Sequence, residues 1–462
     1  MIRRISFAAT LLCGLALAAT AQVKLPPYSR TVLANGIPVY VVERQGLPLV
    51  SLEVVVRGGD EADPAGAGPL CDITAELLRR GTQRRTAAQF SEELDGLGAT
   101  FNASCDEQST AVRMDVLAKD FAAGLDLLTD ATLNPAFGAE EVTKATARRV
   151  DELNSIKDNP GFAINYYSRA FFFGPEHPYG RVPDEQQLRH ITPEALREYH
   201  SRLYVASNLS VIVAGSVDRD AVEKQIDAAF RGVSTGTQYE WKAVEPVKAS
   251  ARLLLVDVPG ATQTYFHIMQ PGVTRTTRDR VPLMLVETLF GGRFTSMLND
   301  ALRVTSGLTY GASNRLEEDR LVGMNSIQSY TKTATTVEAI DLALEVLKKL
   351  HENGITAEQL ASAKAYVKGT FPPRHLETQQ QLGEVLREFE IYGLHRGEID
   401  DLFSAIDAVT LERANQVAAQ YFQTGPLTFV LLGDAAKIRE AVKKYAPQML
   451  EIPVSKPGFT AP

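Results

Sequence analysis

Metal-assisted hydrolysis can be carried by a single helix: two ligands four residues apart share one face, and an acid between them activates the bound water. The segment Gly68-Pro-Leu-Cys-Asp-Ile-Thr-Ala-Glu-Leu-Leu-Arg-Arg-Gly-Thr82 has that spacing without that chemistry. Asp72 and Glu76 stand four apart, and Ala75, where a base would be needed, has no proton to exchange. The histidines, His177, His190, His200, His267, His351, His375 and His395, form no two-ligand helical pair. His190 and His200 flank one helix but project from different faces. There is no Gly-x-Ser-x-Gly elbow and no phosphate-binding loop, and Gly291-Gly292 reads as a helix or turn boundary.

The elements that must position these residues fall into a duplicated pattern. At 462 residues the chain is too long for one ordinary domain. Ala139-Glu140 answers to Ala357-Glu358, Ile191-Thr192 to Val409-Thr410, and Gly215 to Gly433, at a constant offset. Ile191-Thr-Pro-Glu-Ala-Leu leads through a helix to the strand Leu209–Gly215, as Val409-Thr-Leu-Glu-Arg-Ala leads through a helix to Leu427–Gly433. A polar run with Gly236, Pro246 and the only tryptophan, Trp241, separates the halves, giving domains over 27–235 and 251–450 joined by a linker at 236–250.

Within the first domain Asn35-Gly36 predicts a two-residue hairpin turn, and Leu49–Val56 alternates as a strand. Thr86 with Gln89 predicts a capping box, strands follow at Thr100–Ser104 and Ala111–Ala118, and long amphipathic helices run from about Phe121 and Ala139. Strands first and helices later indicate α+β: two homologous domains, each an antiparallel sheet covered by helices.

Arg3-Arg4, an apolar run from Ile5 to Leu17 and Ala19-Thr20-Ala21 form a secretory signal over 1–21, so a periplasmic location is expected. No later stretch is long and apolar enough to span a membrane. A net charge of −8 argues against nucleic acid. Cys71 and Cys105 are too few for a disulfide scaffold and read as two buried thiols, with pairing between a helix and a strand as the alternative.

Two equivalent α+β halves, an Asn-Gly hairpin near the start, and a helix closed by Gly81-Thr82 together resemble the insulinase, pitrilysin and mitochondrial-processing-peptidase family of inverted-motif zinc peptidases. The resemblance is to its short bacterial two-domain members, and it implies the mitochondrial-processing-peptidase-like (LuxS-like) metallohydrolase fold. Anchored on Gly81-Thr82, it places the metal histidines of His-x-x-Glu-His at Asp72 and Glu76, the general base at Ala75, and the third ligand, a glutamate on a later helix, at Glu152. Asp72, Glu76 and Glu152 would then be either a carboxylate-only site suited to calcium, magnesium or manganese, or a solvated helix face. On the second reading Leu70, Ile73 and Leu77 form the buried stripe and Arg80 pairs with Glu76.

Two further elements match the family. In Ala301-Leu-Arg-Val-Thr-Ser-Gly-Leu-Thr-Tyr-Gly311, Gly307 caps a helix whose last turn holds Arg303, and Tyr310 starts a strand. The resemblance implies that Arg303 and Tyr310 reach a zinc site and donate to the tetrahedral oxyanion. Asn102-Ala103 matches the edge strand on which an extended peptide pairs, with an ordinary core hairpin as the alternative. The expectation is a non-catalytic subunit without a metal of its own, paired with a zinc-bearing relative and binding peptide substrates. The alternatives are a peptide-binding or scaffold protein of the same fold, or a hydrolase using its own carboxylates.

Overall fold

The structure, a computed structural model, describes residues 23–461; the secretory signal expected at 1–21 lies outside the described residues. The first half supplies strands β1 (Ser29–Val32), β2 (Pro38–Glu43), β3 (Leu49–Arg57), β4 (Thr100–Cys105), β5 (Ser109–Leu117) and β6 (Leu209–Gly215). The second supplies β7 (Arg252–Asp257), β8 (Gln263–Pro271), β9 (Val273–Thr274), β10 (Ala312–Asp319), β11 (Val322–Lys332), β12 (Thr428–Gly433) and β13 (Gln448–Pro453). They form two sheets, ordered β1-β2-β6-β3-β5-β4 and β13-β7-β12-β8-β11-β10-β9. The α+β reading holds, but neither sheet is purely antiparallel. β2 runs parallel to β6, and β12 and β13 run parallel to β7. That pairing sets β6, the last strand of its half, between β2 and β3, and β13, the last of the other, beside β7, a long-range event that strand periodicity does not encode.

The local signals are visible in the backbone. The turn at Asn35-Gly36 is one residue wider than expected: Leu33 and Ile37 close it, and Gly36 takes φ 95°. A glycine is needed there because a Cβ disfavours that region. At the predicted capping box, the Gln89 N–H donates to Thr86 Oγ1 at 3.2 Å and the Thr86 N–H to Gln89 Oε1 at 2.9 Å.

The helices that matter for the site are α1 (Leu70–Leu77), α2 (Ala87–Gly96), α3 (Phe121–Leu133), α4 (Ala139–Lys157) and α5 (Pro160–Phe173). Counterparts in the second half include the long helices Ala357–His375 and Gln379–Tyr392. α5 packs against β8 and β12 of the second sheet, and Gln379–Tyr392, its equivalent, packs against β3 and β6 of the first. The halves therefore exchange one helix each.

The exchange explains why the inner strands are apolar on both faces. In β6, Val211 and Val213 face one core while Ile212 and Ala214 face the other. In β12, Val430 and Leu432 likewise part from Phe429 and Leu431. Each crossing is fixed by polar contacts. Ser168 and His267 are hydrogen-bonded at 2.9 Å, Arg387 Nη1 donates to Glu53 Oε1 at 3.0 Å, and the Tyr392 hydroxyl donates to Gln108 Oε1 at 2.8 Å.

Candidate functional site

The degenerate metal motif sits on α1, with Leu70, Ile73, Ala75 and Leu77 all buried. Its polar face is only partly solvated, because α4 packs across it and leaves Asp72 and Glu76 half-buried. Glu76 forms an ion pair with Arg148, and Arg149 Nη2 lies 3.9 Å from its other oxygen. Glu152 pairs with Arg149 at 3.2 Å and with Arg148 at 3.6 Å. Asp72 carries a carboxyl raised above its ordinary pKa, first by burial and further by the like charge of Glu76, with Arg149 opposing.

Two guanidinium groups thus stand among the carboxylates, where the family's motif would place a cation. The pairing of Glu76 with Arg80 expected from helical spacing does not occur; Arg80 is exposed and the partners come from α4. Among the described residues, no group of three or more potential ligands is arranged to hold a metal ion. Histidine-free, base-free and occupied by arginine, the site does not fit zinc.

The cysteine expectation is corrected. Cys71, in the first turn of α1, and Cys105, at the end of β4, form a disulfide with Cα atoms 5.9 Å apart. Their pairing depends on how β4 lies against α1, and no local pattern reports that. The bond ties the motif helix to the sheet edge. Among the described residues β4 pairs only with β5, so Asn102 and Ala103 lie on an outermost strand, with Asn102 opposite Arg113 and Ala103 opposite Val112.

Beside this region the C-terminal segment folds back from the second half. Phe459 is buried against Tyr166 and Tyr167 of α5, with ring centroids 4.8 and 5.1 Å away, and Lys157 at the end of α4 donates to the Lys456 carbonyl. Tyr166 lies within the field of Asp72, Arg149 and Glu152, so this aromatic cluster adjoins the altered motif.

Arg303 and Tyr310 are elsewhere, on the second domain. The segment Asp300–Thr305 is a π-helical turn rather than a regular α-helix end, and Gly307, at φ 66°, closes it with its N–H on the Arg303 carbonyl at 3.2 Å. Tyr310 precedes rather than begins its strand, since β10 starts at Ala312, and it is 78% exposed. Arg303 packs its guanidinium 4.8 Å from the centroid of the Phe294 ring. It lines an open cavity of about 700 Å³ whose other wall is the start of α5 from the first half.

Phe294, Val304 and Tyr310 are all among the large apolar side chains left exposed, and Phe162 at the start of α5 is another. Phe294 lines the cavity, and Val304, Tyr310 and Phe162 are chain neighbours of its lining residues Arg303, Gly311 and Gly161, an exposure of apolar groups that suits an interaction surface. The structure therefore separates the two groups of site residues: Asp72, Ala75, Glu76 and Glu152 lie on a packed helix pair among paired charges, whereas Arg303 lines an open cavity and Tyr310 is exposed one residue before its lining residue Gly311. Arg148 and Arg149 were missed by sequence reasoning, although their three- and four-residue spacing to Glu152 was a readable sign of pairing.

Comparison with known proteins accords with this architecture. A sequence profile described as Insulinase (Peptidase family M16) matches residues 39–172, and one described as Peptidase M16 inactive domain matches residues 190–367. The chain is 26% identical over 436 residues to an uncharacterized zinc protease of Mycobacterium leprae, covering 92% of this chain and 95% of that one. It is 20% identical to a protein of Helicobacter pylori described as a non-peptidase homolog, over 87% of this chain and 93% of that one.

Among solved structures, a peptidase M16 inactive domain from Pseudomonas fluorescens superposes with a TM-score of 0.82 at 21% identity, covering 88% of this chain and 98% of that one. A protease from Helicobacter pylori superposes with a TM-score of 0.79 at 18% identity, covering 88% and 100%. The chain belongs to the insulinase family, peptidase family M16. Within it, this is a peptidase-like member whose own motif lacks the residues of zinc hydrolysis. Among the described residues no helix is long and apolar enough to cross a membrane.

Proposed function

We propose that this chain is the non-catalytic subunit of a periplasmic zinc metallopeptidase, pairing with a zinc-bearing relative and lending it Arg303 and Tyr310. The observation that carries the reading is the contrast between the two regions. The chain's own motif is filled by Arg148 and Arg149, while Arg303 forms no ion pair among the described residues and Tyr310 is exposed. When bound, the partner's zinc would supply an activated water.

This chain's part is to hold the peptide and stabilise charge. Arg303, steadied by Phe294, and the Tyr310 hydroxyl donate to the substrate carbonyl oxygen as negative charge develops on it. The outer edge of β4, with Asn102 and Ala103, offers unpaired backbone groups to an extended peptide. The exposed Phe294, Val304 and Tyr310 supply apolar contact around the Arg–Tyr element.

The test is peptide hydrolysis by the co-purified pair. Arg303→Ala together with Tyr310→Phe is expected to lower kcat by about a hundredfold or more, the scale of losing oxyanion donors, while the two chains still co-elute. Wild-type rates from that pair would refute the reading.

A further inference from the structure

Arg303 and Tyr310 leave most of the adjoining cavity unexplained. Its lining includes Arg293, Arg303 and Arg374, and no carboxylate. In a chain of net charge −8 that is a strong local excess of positive charge. Several inward-facing arginines elsewhere are neutralised, Arg275 by Glu388, Arg320 by Glu61, and Arg387 by Glu53, whereas Arg57 and Arg252 stand singly without a carboxylate among the described residues. The three cavity arginines form no ion pair among the described residues, yet each is held in place.

Arg293 Nη1 donates to Ser362 Oγ at 3.0 Å, and its guanidinium lies 5.7 Å from the Tyr366 ring centroid. Arg374 Nη2 donates to the hydroxyl of the same Tyr366 at 3.5 Å. Arg293 Nε is buried and has no acceptor, as is true of Nε in Arg57, Arg149, Arg181 and Arg252, so what sets the cavity apart is its three unpaired guanidinium groups and the lack of a carboxylate among its lining.

The nearby carboxylate Glu287 lies behind Gly292 in a separate depression with Glu318, where burial and the like charge of Glu318 push its carboxyl up to about 7. It does not neutralise the three arginines. Tyr265 and Tyr330, stacked with centroids 5.2 Å apart, add a flat surface against which a peptide can lie.

We propose that this cavity is a subsite for a carboxylate of the bound peptide, and that Arg293 and Arg374 are its specificity-determining residues. The inference rests on the reading of the chain as a peptide-binding subunit. Planar guanidinium groups suit a carboxylate because two parallel N–H donors match its two oxygens. That carboxylate is an acidic side chain or the free C-terminus, since both present the same group.

The experiment is calorimetric titration of the full mature chain with three octapeptides of one alanine–serine sequence. The first carries two internal glutamates and an amidated end, the second glutamines and an amidated end, and the third glutamines and a free C-terminus. At least one carboxylate peptide is expected to bind about tenfold or more tightly than the neutral one, the scale of hydrogen bonds to a charged group. The tighter of the two identifies the source.

Arg293→Gln with Arg374→Gln should bring all three within about twofold. The exposed Arg374→Gln alone, which threatens no packing, should lower the preference partway. Equal or unmeasurable binding of all three peptides to wild type, or a preference unchanged in the double variant, would overturn the proposal. Loss of hydrolysis in the Arg303/Tyr310 variant without any charge preference sinks this subsite alone. A charge preference beside an unaffected pair sinks only the subunit reading.

Discussion

If Arg148 and Arg149 stand in for a metal, restoring the ligands alone will not restore zinc. Asp72→His with Glu76→His rebuilds both imidazole positions, but Glu152 is held by Arg148 and Arg149 and can turn in as a third ligand only when they are removed. The guanidinium groups lie within 4 Å of the Glu76 and Glu152 oxygens, so a metal held by the same groups would sit roughly 5 Å from them. At an effective dielectric of about 20, a divalent ion and a unit positive charge about 5 Å apart repel by roughly 6–7 kcal/mol.

Arg148 and Arg149 are 45% and 31% exposed, so they can swing toward solvent, and screening cuts the penalty. A third of the Coulomb figure, about 2 kcal/mol per arginine, is a fair discount. The two together then weaken zinc by roughly a thousandfold. The assay is competition for zinc against a chromophoric chelator, comparing Asp72→His/Glu76→His with the same variant also carrying Arg148→Gln and Arg149→Gln. The four-substitution variant is expected to bind zinc measurably and the two-substitution variant to bind about a thousandfold more weakly. Affinities within tenfold of each other would show that the arginines do not exclude the metal, and the electrostatic account of this site would be wrong.

Further outcomes follow from the same structure. Arg387→Met removes the nearer cation from Glu53, which is 2% exposed and keeps only Arg113 at 4.0 Å. It should destabilise by about 3 kcal/mol, read as a lower urea midpoint, and Glu53→Met added to it should recover most of the loss. His200 stacks on Tyr204 with centroids 4.1 Å apart, and its Nε2–H donates to the Thr132 carbonyl at 2.8 Å. Burial depresses its pKa to about 4, with the Thr132 bond partly opposing.

The unfolded chain therefore takes up the His200 proton first, near pH 6.5. Stability from the neutral imidazole is full above that pH and drains away as pH falls toward 4. In urea titrations the deficit of His200→Gln relative to wild type should shrink by about 1.4 kcal/mol per pH unit across that window. A deficit that stays constant with pH would mean that His200 is not held neutral.

The sequence alone determined a good deal, because the relevant signals are local or repeat. The capping box at Thr86, the Gly307 cap and the apolar strands of each half are written within short windows, and duplication wrote most of them twice. The vacancy on α1 is also a one-dimensional fact, since missing side chains need no tertiary structure to be missed. The same applies to the spacing of Arg303 and Tyr310.

Only the tertiary structure decided what fills that vacancy. Arg148 and Arg149 oppose Glu76 because α4 lies on α1, and Cys71 reaches Cys105 because β4 lies against the first turn of the same helix. The exchange of α5 and Gln379–Tyr392 between the halves is likewise invisible along the chain, for a buried helix face reads the same whichever sheet it covers. The cavity with Arg293, Arg303 and Arg374 depends on that exchange, because α5 from the first half forms one wall and the second half brings the arginines. Periodicity fixes which residues face inward. Which surface they meet depends on packing between segments tens to hundreds of residues apart, and sequence spacing carries no record of that.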